Sequence, residues 1–160
     1  MKLIMRLFSW KSCLISSLIV LFLLNIFNFY GLYTNKFYFF KFDNYIFPLL
    51  SLAHFTYLYA MWFKINEEEI ADYQMRNLEF TLYAILVIYT YKLVETISIL
   101  LSYNDFESNV IPATFIPIGL LIAFLYVMLL ILTLITFKHR KDKVGTYDFN
   151  RIHDKIDSWE

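Results

Sequence analysis

The chain carries one cysteine, three glycines and three prolines in 160 residues. A lone Cys13 excludes an internal disulfide, a cysteine-rich metal site and a Cys-x-x-Cys redox pair. No Gly-rich phosphate loop, His-x-x-x-His pair or serine-nucleophile setting is present. Charge is scarce as well. Asp, Glu, Lys and Arg make up 18% of the chain, against about a quarter in a soluble domain. Basic and acidic residues balance at 14 each, so net charge points to no nucleic-acid partner. The expectation is a protein that is not an enzyme, with no cofactor and no metal.

Apolar residues fill the space that charge leaves. The chain is 59% hydrophobic and 21% aromatic, and its length suits one domain. Four apolar runs, at about 12–33, 44–63, 78–103 and 111–137, each reach the roughly 20 residues that a membrane helix needs. The fold class is therefore an all-α membrane protein with four transmembrane helices. The tail, 138–160, is basic and then amphipathic. A cleaved signal peptide is the competing reading for the first run, since Lys2, Arg6 and Lys11 precede it. The run is too long for that, and no small-x-small cleavage site follows it.

Punctuation between the runs is legible. Residues 34–43 read as a short loop with Lys36 and Lys41. The acidic stretch Glu67, Glu68 and Glu69 suits the positive end of a helix. Asn66 and Glu69 have capping-box spacing, so the third helix is expected to begin near Glu67. Pro112 fits the first turn of the fourth helix, and Pro117, deeper inside, is expected to free a carbonyl and kink it. The tail places Phe149, Ile152, Ile156 and Trp159 on one face of a short helix.

Orientation follows from Lys and Arg. Nine lie on the side of the N-terminus, second loop and tail start, against two in the first loop and none in the third. Both termini are expected in the cytoplasm, with the chain in a bacterial inner membrane.

The polar residues inside the runs are the candidate site. Lys92 and Glu95 sit mid-span, where ionisable residues are costly and mark functional sites. At about 1.5 Å of rise per residue, Asn25, His54 and Lys92 reach one level, and Asn28 and Glu95 lie a turn further out. Ser17, Asn25 and Asn28 share a face of the first span. Ser51, His54 and Tyr57 share one of the second, and Thr81, Lys92, Glu95, Thr96 and Tyr103 one of the third. The layer reads either as a buried clamp, with Lys92 and Glu95 bonded to His54 and Asn25, or as a hydrated path. Four helices that pack their own core leave no room for a pore, so a path implies a homo-oligomer with span one or three on its axis. The basic cluster Lys138, Arg140, Lys141 and Lys143 reads first as an anchor for anionic lipid and second as a nucleotide or nucleic-acid site.

Enzyme patterns fit poorly. Arg76-Asn77-Leu78-Glu79 has a faint likeness to the Arg, Asn and Glu pattern of microsomal glutathione transferases, but spacing and position both differ. The whole-chain plan is four spans, both ends inside, and a basic then amphipathic tail. It resembles the small membrane subunits of bacterial anti-phage defence systems of the Hailong and Kiwa types. The resemblance lies in architecture and carries no diagnostic motif. It implies a homotetramer. In the first type this would be a channel-like effector held closed by a nucleotide-derived ligand, in the second a membrane sensor coupled to a DNA-binding partner. The leading expectation is a homo-oligomeric channel or pore-forming effector gated from the cytoplasm. The alternative is a non-conducting adaptor whose tail recruits a cytosolic protein.

Overall fold

The computed structural model describes residues 9–105 and 111–147. Four helices dominate it: α1 (Trp10–Phe27), α2 (Ile46–Asn66), α3 (Tyr73–Leu101) and α4 (Phe115–Lys143). All four are long and apolar enough to cross a membrane, and the chain is a multi-pass membrane protein. Each helix packs on its chain neighbours, and α4 packs on α1 to close the ring. This is the plan of an up-and-down four-helix bundle.

Lipid tails are as apolar as leucine, so helices in a membrane associate through close packing and hydrogen bonds. The bundle uses both. Gly119 of α4 lies against Leu100 of α3, and a Cβ at that glycine would come within 2.4 Å of the leucine side chain. Cys13 of α1 is fully buried, with Sγ 3.3 Å from the Thr136 hydroxyl of α4. Its role is packing between the two helices. Tyr57, Leu58, Met61, Tyr89, Leu129 and Phe115 are all sealed from solvent in the core.

The helix ends differ from the hydropathy reading, each for a local reason. The first span was expected to continue to residue 33, but α1 ends at Phe27. The aromatic residues that follow form a small hairpin, with β1 (Tyr30–Gly31) antiparallel to β2 (Lys36–Phe37). Asn35, at φ 53°, makes the turn. Gly31 is required there because a Cβ would meet the Tyr38 ring at 2.6 Å. A 3-10 turn, Phe42–Tyr45, leads into α2.

The third helix begins at Tyr73, six positions later than expected from Glu67. Glu68 has a left-handed backbone, at φ 54°, which ends α2 and separates the helices. Asp72 takes the cap instead of Asn66, accepting a 2.8 Å bond from the Met75 N–H. Its other oxygen lies 3.0 Å from Lys64 Nζ, which also holds Glu69 at 3.1 Å. The fourth helix begins at Phe115 and not near residue 111. Pro117 therefore falls in the first turn, where no helical N–H is lost, and the expected kink loses its cause. At its other end α4 runs on to Lys143, so the first basic residues of the supposed tail are helical.

Candidate functional site

Two polar groupings interrupt the apolar bundle, one toward the hairpin end, called outer for its place in the bundle, and one toward the end where α1 begins and α4 stops, called inner. The outer one is an open cavity of about 520 Å³. The hairpin, the 3-10 turn and the outer parts of α1, α3 and α4 enclose it. Lys92 and Glu95 line its side, Thr96 and Tyr126 its inner part, and Asn28, Lys41, Asp43 and Asn44 its mouth. The Lys92 ammonium donates to Glu95 Oε2 at 2.7 Å. Their side chains are 33% and 42% exposed, so the pair stands between cavity and surface.

The aromatic hairpin holds this mouth in shape. Phe29 packs on Phe39 and Tyr45 at 5.5 and 5.2 Å between ring centres. Tyr33 reaches across to Phe115 and bonds the Ser102 hydroxyl at 2.7 Å, which ties the hairpin to α3 and α4. The Asn28 amide donates to the Asn44 carbonyl and joins the end of α1 to the start of α2.

Of the five residues expected in one polar layer, three are not in direct contact with the ion pair. Asn25 donates to the Ser51 hydroxyl at 3.0 Å, and His54 lies 3.4 Å from the Tyr89 hydroxyl. Asn28 shares the cavity with Lys92 and Glu95 but bonds to Asn44. The expected layer is thus four separate contacts, the Lys92–Glu95 pair and these three. His54 is fully buried, and among the described residues its Nε2 has no partner. Beside the cavity Phe47 packs ring against ring on Tyr89 and Tyr126, at 5.5 and 5.9 Å between centres.

The inner grouping was missed in the sequence. Glu79 of α3 and Arg140 of α4 are 5% and 6% exposed. Arg140 Nη2 donates to Glu79 Oε1 at 2.8 Å and lies 2.7 Å from Oε2. Tyr83 and Tyr147 also donate to the Glu79 carboxylate, at 3.2 and 2.5 Å. Arg140 Nη1 binds the Gly145 carbonyl at 2.9 Å, and its guanidinium lies over the Tyr147 ring. Burial and the adjoining carboxylate raise the Tyr147 phenol above its ordinary pKa, so it remains a donor. The available signal was Glu79 itself, a carboxylate between Leu78 and Phe80 just inside an apolar run.

Arg140 therefore leaves the basic cluster for the core, while Lys141 and Lys143 remain exposed and Lys138 is half-buried. Phe149, Ile152, Ile156 and Trp159 lie outside the described residues. Among the described residues no cluster of His, Cys, Asp and Glu has the grouping of a metal site. No protein-family model, curated protein or solved structure matches the chain.

Proposed function

We propose that the chain forms a homo-oligomeric membrane channel whose path runs between copies, along α3. The position of the Lys92–Glu95 pair carries this reading. It is only half-sheltered, at the edge between the outer cavity and the open surface of α3. Ionisable groups in a membrane face protein or water. The packed rings of Phe47, Tyr89 and Tyr126 disfavour a path through one copy, which supports a route alongside α3.

Helix α3 suits an axis in two further ways. Its membrane window is the least covered of the four, at 17% buried. Asn77, Thr81, Ala84, Tyr91, Glu95 and Ser98 lie on one seam, at spacings of three, four or seven. Small and polar residues are the usual contact surface between membrane helices. The Thr81 and Ser98 hydroxyls bond their own backbone at i−4, so they are no burden to the helix before it pairs.

The setting we propose is a bacterial inner membrane, with both termini cytoplasmic, four copies, and an effector role in anti-phage defence. The segment after residue 143 would receive a cytosolic protein or a nucleotide ligand. A second reading, a non-conducting adaptor, draws on the anchoring of Tyr147 to Glu79, which starts the tail from a fixed point.

Reconstitution in planar bilayers separates the two. The channel reading expects stepwise current that Lys92→Leu or Glu95→Gln abolishes or changes in ion selectivity. Absence of current in every background, with partner capture lost on removing residues 146–160, would overturn it in favour of the adaptor.

A further inference from the structure

A second cavity, of about 540 Å³, opens between α1 and α2. Its walls are two helical stripes. Trp10, Leu14 and Leu18 come from α1, and Phe55, Tyr59 and Trp62 from α2. Both stripes follow three- and four-residue spacing, so the groove runs parallel to the helices and along the membrane normal.

We infer that this groove seats one anionic phospholipid, its acyl chain between α1 and α2 and its headgroup at Lys11. Length supports the acyl chain. From residue 10 to 18 the groove covers about 12 Å of helix, and from 55 to 66 about 16 Å. One leaflet of hydrocarbon is about 15 Å thick. The groove therefore begins at the headgroup level and ends near the bilayer centre, as a single lipid tail does.

Chemistry supports the headgroup. The polar side chains at the groove's end are Lys11 and Asn66, and among the described residues no carboxylate lines it. Glu69 and Asp72, from the following loop, are held by Lys64. Lys11 lies over the Trp10 ring, 5.4 Å from its centre, which places its ammonium beside an interfacial tryptophan. Trp62 is 42% exposed and Tyr59 63% exposed, and aromatic residues of this kind prefer the headgroup boundary. Charge and depth together select an anionic lipid of the leaflet in which α1 begins.

The test uses the full chain in vesicles of phosphatidylglycerol and phosphatidylcholine, with a trace of phosphatidylglycerol bearing a photoreactive acyl chain. Adducts are mapped by mass spectrometry, and retained lipid is counted by native mass spectrometry after extraction. The expected result is adducts concentrated on residues 10–18 and 55–66, and one phosphatidylglycerol retained per chain. Leu18→Trp, which fills the groove from an exposed position, removes that lipid. Lys11→Gln keeps a lipid but lowers the preference for phosphatidylglycerol about fivefold, the effect of one surface charge. Leu134→Trp, an exposed position on α4, changes neither. Adducts spread evenly over the four helices, or retention unaffected by Leu18→Trp, would each overturn the assignment.

Discussion

A carboxylate and a guanidinium removed from water together lose much of what they gain from each other, unless further hydrogen bonds complete the shell. Glu79 has that shell: Arg140, Tyr83 and Tyr147 all point at it. Truncating one partner leaves the other charge buried and unmatched, which costs about 3–5 kcal/mol. Arg140→Leu should therefore lower the unfolding midpoint in detergent sharply, and Glu79→Leu should do the same. The double variant should recover most of the loss, because no charge is then left behind. Additive losses in the double variant, measured by thermal scanning, would show that the pair is not the source of the effect. Lys92 and Glu95 behave differently. They are partly exposed, and if the proposed path hydrates them, substituting either should leave stability nearly unchanged while altering conduction.

At the scale of elements, the connection from α2 to α3 depends on Asp72. It caps α3 and pairs with Lys64. Partial burial pushes the Asp72 carboxyl upward, but the Met75 N–H and the Lys64 ammonium outweigh it and hold it below the usual carboxylate range. A depressed folded pKa contributes stability that is complete above the unfolded value, about 3.9, and is lost as pH falls through the folded one. Asp72→Ala should cost about 1 kcal/mol at neutral pH through the lost cap. The gap to wild type should narrow only below about pH 4. Unfolding midpoints across that range test it, and a gap that already closes near neutral pH would point to another group.

The same elements show what could be read in advance. Hydropathy found four spans because Leu, Ile, Val and Phe dominate all of them. It misplaced the end of α1 because Phe29, Tyr30 and Tyr33 are as apolar in a hairpin as in a helix, and hydropathy does not register backbone direction. It placed the start of α3 at the acidic run because Glu67 to Glu69 satisfy a helix dipole, whereas Lys64 draws Glu69 back toward α2. The ion pair Lys92–Glu95 was legible from its i,i+3 spacing. The Glu79–Arg140 pair was not, since its members are 61 positions apart. Arg140 also had a sufficient explanation in the basic cluster around it. Asn25, His54 and Asn28 meet Ser51, Tyr89 and Asn44 and not the ion pair, because height along a helix does not determine which neighbour a side chain meets.

The whole molecule has two unlike exteriors. The groove between α1 and α2 is walled by apolar and aromatic residues, with its polar groups at one end, while the seam along α3 is mostly polar. If copies assemble through α3, cysteines placed on the seam should meet their own counterparts. Ser98→Cys should yield disulfide-linked dimers in the membrane under mild oxidation, since native Cys13 is buried and does not compete. Leu18→Cys, on the groove side, should not. Equal cross-linking at both positions, resolved on a non-reducing gel, would remove α3 from the axis.

The bond from Tyr147 to Glu79 has a mechanical meaning. A pull on the chain beyond residue 147 would act on α3 and α4 at once, with Arg140 as the shared fulcrum. Lys92 rides the same helix, about 20 Å further along. A rigid rod of that length would deliver a tilt imposed at its base directly to the ammonium group on the side of the outer cavity.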